Sequence, residues 1–183
     1  QLQSLSFQAS LTIHDELVPL PFRYGYQTTI SGPISSADYF GLGPHESYVD
    51  RQAAAWLGRH LLTPANRTSP YIRPQENGNR SSTYWLRICG EEGASNNRLI
   101  KAIDSEHPFN FSIWPYTQDE LEAATHDIDL PYRTDCFTLN LDYGQIGVGG
   151  DDSWSPRAAP YPVHLLPWSV GTVLTYGFIL KLP

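Results

Sequence analysis

The chain has 183 residues and a formal net charge of −7, with 40% apolar and 13% aromatic residues. That much apolar material predicts one globular domain over residues 1–183 with a sizeable core. Lys and Arg number 12 against 19 Asp and Glu and form no cluster, which argues against nucleic acid and anionic membranes as partners. No apolar run approaches the roughly 18 residues of a membrane span, and no signal peptide is read at the amino terminus.

In chain order, period-two alternation dominates. Leu5, Phe7, Ala9, Leu11 and Ile13 alternate with small polar residues and predict a strand with one buried face. Phe22 to Ile30 predicts a second strand. Arg51 to Leu57 predicts a short helix of less regular pattern. Tyr84 to Cys89 and Phe109 to Trp114 predict further strands. Thr117 to His126 predicts a helix, because Thr117 and Glu120 have capping-box spacing and Leu121 with Ala124 gives a narrow apolar stripe. Phe137, Leu139 and Leu141 alternate with Thr138, Asn140 and Asp142. Leu174, Tyr176, Phe178, Leu180 and Leu182 form a last alternating run whose other face is partly apolar, so this strand is expected to be covered on both sides. Prolines and glycines punctuate these runs, and the pattern predicts an all-β antiparallel sandwich rather than an α/β fold. Cys89 and Cys136 sit in apolar strand patterns, which predicts buried free thiols rather than a disulfide.

The chemistry-bearing stretch is Gly144 to Pro156, where a strand runs into four glycines, Asp151, Asp152 and Trp154. Glycines permit positive φ and close backbone approach, and aspartates fix turns through neighbouring amides. A stiff loop presenting an indole suits sugar recognition, because the ring stacks on the C–H face of a pyranose. The same tryptophan could equally cap the core. Asp151 and Asp152 are too few for calcium, which takes six to eight oxygen ligands. The six histidines form no HxH or HExxH pair, so no zinc site is expected. The acceptor-like triplets at Asn66, Asn79 and Asn110 are of a kind expected by chance.

A second segment, Gly41-Leu42-Gly43-Pro44-His45-Glu46-Ser47-Tyr48-Val49-Asp50-Arg51, resembles a loop of bacterial family 2 β-galactosidases that reads roughly G-x-G-P-x-E-x-Y-x-D-R. The GxGGDDSWSP string ending at Pro156 resembles a signature near the carboxyl terminus of the same enzymes. Ser69 to Gly78 and Pro108 to Leu121 resemble two intervening stretches of that family. All four occur in family order, and the resemblance covers about Pro21 to Pro183. Val49 departs from the proline of many members and His45 from the glutamine of some.

The resemblance implies the supersandwich of galactose-mutarotase-like proteins, shortened at its amino terminus, as the carboxyl-terminal portion of a larger β-galactosidase. It implies no catalytic residue here, since both catalytic carboxylates of the family lie in a (β/α)8 barrel. It places Trp154 at the aglycone side of the sugar site, beside a 41–51 loop that starts at Gly43 and moves when ligand binds. His45, Glu46 and Asp50 would then lie near the sugar or tie the loop down, with Arg51 pairing one of the acids. A glycine before Pro44 suits a hinge. The implied partners are the barrel of the same chain and a galactoside, in a homo-oligomer of bacterial origin. A bacterial parent implies the cytoplasm or the periplasm as its compartment. No cofactor is expected in this domain, the family's Mg and Na sites being in the barrel. The alternative is an autonomous sugar-binding module or a mutarotase-like epimerase, which would need a concave site with a convergent His and carboxylate.

Overall fold

The computed structural model describes residues 4–12, 23–90, 98–102, 107–145, 148 and 173–181. Among the described residues, ten strands run in the order β1 Ser4–Thr12, β2 Arg23–Ser31, β3 Ile34–Gly43, β4 Trp56–Leu62, β5 Arg80–Thr83, β6 Trp85–Gly90, β7 Arg98–Ala102, β8 Phe109–Trp114, β9 Cys136–Gln145 and β10 Val173–Lys181. One short helix, α1 Gln118–Ala123, and a 3-10 turn, Asp127–Asp129, lie between β8 and β9.

The strands form two antiparallel sheets. One has six strands in the order β1-β10-β7-β6-β3-β4, the other four in the order β2-β9-β8-β5. Their facing sides supply one apolar core that includes Tyr39, Leu86, Ile88 and Ile100 from the larger sheet and Ile30, Phe111, Ile113 and Leu139 from the smaller. The layers interlock across the gap: Tyr39 meets Phe111 edge-on at 5.1 Å, and the Tyr176 hydroxyl donates to the Leu141 carbonyl at 3.0 Å. A β-sandwich is therefore the architecture, as the alternation predicts.

Helix α1 follows its sequence signal. Thr117 caps it, accepting from the Glu120 amide while the Glu120 carboxylate accepts from the Thr117 amide. The helix buries Leu121 in a small cluster with Trp114, Tyr116, Ala124 and Leu130. The helix expected at Arg51 to Leu57 does not form. That stretch is a turn leading into β4, whose first residue is Trp56. A turn at residues 53 and 54 and pairing of Leu57 with Leu42 on β3 take precedence over local helix propensity.

One expectation about burial needs correction. Cys89 and Cys136 are free, yet half-buried rather than buried. Along β9 the polar face is enclosed as fully as the apolar one: Thr138 donates to the Tyr116 carbonyl at 2.8 Å, and Asn140 donates to Ser112 at 2.9 Å. Those bonds let polar side chains leave water without an unsatisfied group.

Candidate functional site

The end of β3 and the loop that joins it to β4 carry the 41–51 segment, and the loop from β4 to β5 carries Ser69 to Gly78. Together with the ends of β2 and β9 they enclose a polar cluster. Gly43 closes β3 opposite Trp56 and is buried, with a cis bond to Pro44. A Cβ there would lie 2.2 Å from the Tyr39 hydroxyl and 2.8 Å from the His60 ring. Close packing at this position requires glycine. His45 is half-buried on the loop.

Glu46 is 2% exposed. One oxygen accepts from the Gly78 amide at 2.9 Å, and the other from Arg51 Nη1 at 2.5 Å and from the Tyr71 hydroxyl. Burial, the largest single influence, works to raise its pKa. The Gly78 amide, the hydroxyls of Tyr71 and Ser69 and the Arg51 charge outweigh it and hold the carboxyl below its ordinary value. Of the two acids open to Arg51 in sequence, Glu46 is thus the partner. Gly78 reaches its position with φ +77° and its Cβ direction 2.6 Å from the Arg67 carbonyl, so only glycine presents that amide to Glu46.

Glu76, two residues earlier, is held differently. Its Oε1 accepts from Arg23 Nη2 at 2.7 Å and from the buried Tyr48 hydroxyl at 3.4 Å, while Oε2 is buried without a hydrogen-bond partner. Arg23 also faces Asp142, with Nε 3.7 Å from Oδ2, and lies 5.0 Å from the centre of the Trp114 ring. Burial pushes Glu76 up to about 7, with Asp142 and Glu46 adding to it and Arg23 opposing. Burial likewise pushes Asp142 up to about 6 against Arg23 and the amide of Gln145. Gln145, the last residue of β9, donates to Asn79 and Asp142 at 3.1 Å each, and its own carbonyl oxygen is buried without a partner.

Beyond Gln145 the glycine-rich string begins. Trp154, Asp151 and Asp152 lie outside the described residues, as do His14 and His164. Val148 is described, and its amide donates to both carboxylate oxygens of Asp50, at 3.0 and 3.3 Å. The 41–51 loop and the start of the glycine-rich string are thus in direct contact, although 98 residues separate the two partners.

Glu76, Asp142, Arg23 and Gln145 were not singled out by sequence reasoning. The signal that could have found Glu76 was its place in the Ser69 to Gly78 stretch. The two carboxylates do not suit glycoside hydrolysis, because the reacting sugar must sit between an accessible acid and an accessible nucleophile. Here both side chains are enclosed, at 9% and 2% exposure. Among the described histidines, His60 is buried against Tyr39 and the Trp56 carbonyl, and His126 meets Asp129 on an exposed turn. Neither makes the convergent pair of an epimerase in a concave site. No group of three metal-binding side chains occurs among the described residues.

Comparison with known proteins agrees with the four sequence strings. The family model for the β-galactosidase small chain matches residues 3–178. The chain is 34% identical over 156 residues to a β-galactosidase of Priestia megaterium, covering 85% of this chain and 14% of that enzyme. It is 37% identical over 165 residues to one from Alteromonas mediterranea, covering 84% and 14%, and 41% identical over 150 residues to one from Vibrio vulnificus, covering 80% and 13%. The chain spans about one seventh of the length of these relatives, and it belongs to the β-galactosidase small-chain family.

Proposed function

We propose that this chain is an accessory domain of a larger β-galactosidase, inert by itself, which shapes the aglycone side of the active site with Trp154 and the 41–51 loop. The observation that carries the reading is the bond from the Val148 amide to Asp50, which fastens the root of the tryptophan-bearing string to that loop. Within it the roles divide. Glu46 and Asp50 hold the loop, since their oxygens are engaged by Gly78, Arg51, Tyr71 and Val148. Gly43 allows the close packing beneath it, His45 stands half-buried on the rim, and Trp154 supplies the sugar contact by stacking. The catalytic acid and nucleophile belong to a barrel domain of the same parent chain, as does any Mg or Na. The galactoside and a homo-oligomeric parent complete the expected partners.

The domain contributes positioning, by narrowing the ways a leaving sugar or an acceptor can sit. The test is Trp154→Ala in a full-length β-galactosidase carrying this chain. Acceptor or aglycone binding should weaken about tenfold, the equivalent of roughly 1.4 kcal/mol, with cleavage of an activated nitrophenyl galactoside changed less. Unchanged acceptor kinetics would return Trp154 to the core-capping role. Turnover of the nitrophenyl galactoside by the isolated chain, abolished by a point change in it, would defeat the accessory reading altogether.

A further inference from the structure

At the interface between the β4–β5 loop and the start of β9 lies a cavity of about 280 Å³. Its wall includes Pro33, Pro64, Pro115, Tyr132, Phe137 and Arg67. Arg67 is the unusual member. It is 6% exposed, its guanidinium stacks 4.8 Å from the centre of the Phe137 ring, and Nη2 donates to the Ile34 carbonyl at 3.0 Å. Nη1 is buried and has no hydrogen-bond partner, and no carboxylate pairs with Arg67 among the described residues. A second arginine on the wall, Arg133, is already matched by both oxygens of Glu120. The net positive charge of this wall therefore resides on Arg67.

A buried cation without a counter-charge is costly, and a protein retains one where something supplies the missing anion. Burial also draws the Arg67 pKa downward. Prolines and the Phe137 ring keep the space from collapsing onto the guanidinium, since neither has a long flexible chain to fold in. The fork of an arginine matches a carboxylate edge-on, and a stacked guanidinium is already oriented for that.

We propose that this cavity is a binding site for a monocarboxylate with a small, flat apolar body. Thr68 and Thr134 on the wall offer hydroxyls beside the carboxylate, and Tyr132 and Phe137 face the apolar part. The volume is near the lower end of small-molecule sites and fits one ring with its acid group. This site is separate from the polar cluster around Glu46 and Glu76, and it stands whether or not Trp154 touches sugar.

The experiment is a titration of the 183-residue chain with benzoate, benzamide and benzyl alcohol, followed by calorimetry and by the thermal midpoint. Benzoate should bind saturably at about 1 mM or tighter, with the two neutral analogues at least tenfold weaker. Arg67→Gln, which can still donate to Ile34, should lose that preference, and Arg67→Lys should keep part of it. Equal binding of benzoate and benzyl alcohol by the unmodified chain would overturn the proposal, as would no binding by any of the three, and neither outcome depends on a variant folding. N-acetylglutamate N-methylamide distinguishes the source of the acid. Weaker binding than benzoate identifies a free aromatic acid, as proposed, and tighter binding overturns that choice in favour of a polypeptide side chain.

Discussion

Glu46 and Glu76 are two enclosed carboxyls of one loop cluster, and their surroundings shift them in opposite directions. Glu46 is met by an amide, two hydroxyls and a guanidinium, and its carboxyl stays below the ordinary range despite 2% exposure. Glu76 has one oxygen served by Arg23 and Tyr48 and the other by nothing, and it rises to about 7. Burial works to raise both, and the outcome is decided by the donors aimed at Glu46 and by the Asp142 and Glu46 charges that act on Glu76 together with its heavier burial. The first arrangement fixes a loop. The second leaves a carboxyl that keeps its proton up to about 7.

The largest expected effect comes from removing the cation that Glu76 and Asp142 share. Arg23→Met should cost about 3 kcal/mol at pH 8, because two carboxylates then remain enclosed without a counter-charge. At pH 5 the cost should shrink, since both acids can take up protons there. Urea unfolding at the two pH values measures this. An equal cost at both would mean that Arg23 acts mainly through its contact with the Trp114 ring.

On the other glutamate, Glu46→Ala should cost about 2 kcal/mol, the penalty for leaving the buried Gly78 amide without an acceptor. Glu46→Gln should cost less than half as much, because the amide oxygen can still accept from Gly78. Arg51 is half-exposed and finds water in either variant. Urea midpoints of the pair check this, and equal losses would shift the weight from the donors to the charge itself.

The pH profile of stability separates the two glutamates directly. The folded state binds a proton on Glu76 up to about 7, whereas an unfolded glutamate releases it near 4.5. The stability carried by neutral Glu76 is therefore complete below 4.5 and is lost as pH rises through 7. Asp142 behaves alike between 3.8 and about 6. Glu46 runs the other way: its contribution is present above 4.5 and is lost as pH falls below that. Stability should peak near pH 5 and decline by about 1–3 kcal/mol towards pH 8. Glu76→Gln should flatten the limb between pH 6 and 8 and leave the acid limb unchanged. A native profile that rises from pH 5 to 8 would contradict the charge states given to the cluster.

The strands that sequence revealed were those with one clean apolar face. Phe109 to Trp114 forms β8 with the same bounds, and the runs behind β1, β2, β6, β9 and β10 are strands within one or two residues of where alternation puts them. β3 was missed because it is buried on both faces and mixes Asp38 and Ser36 with its apolar residues. β4 was missed because Trp56, Leu57 and Leu61 are apolar yet exposed, which blurs the period. β5 is four polar residues, Arg80 to Thr83, and nothing in Arg-Ser-Ser-Thr announces a buried strand. In the site, Glu46 and Asp50 were legible as possible ties within a loop motif. Arg23 with Glu76 and Gln145 with Asn79 were not, because these pairs are 53 and 66 residues apart and gain meaning only when the sheets meet. Asn79, read as part of a glycosylation-like triplet, is buried and donates to the Ser47 carbonyl at 2.7 Å.

A third carboxylate sharpens the contrast at its weakest end. Asp50 is exposed and accepts from Val148, so water can replace it on the amide in a way that it cannot at Gly78. Asp50→Ala should lower global stability by less than about 1 kcal/mol. Its effect should be local instead. Release of one bond worth up to about 1 kcal/mol raises the open population of the segment by about fivefold, so the Val148 amide should exchange with solvent faster by that factor. Asp50→Asn keeps an acceptor oxygen and should fall between the two. Hydrogen exchange at Val148, read beside a urea midpoint, tests both halves. A global loss matching that of Glu46→Ala would place Asp50 in the same class as the buried glutamate, and the glycine-rich string would then be part of the domain's cooperative core rather than a structure fastened to its rim.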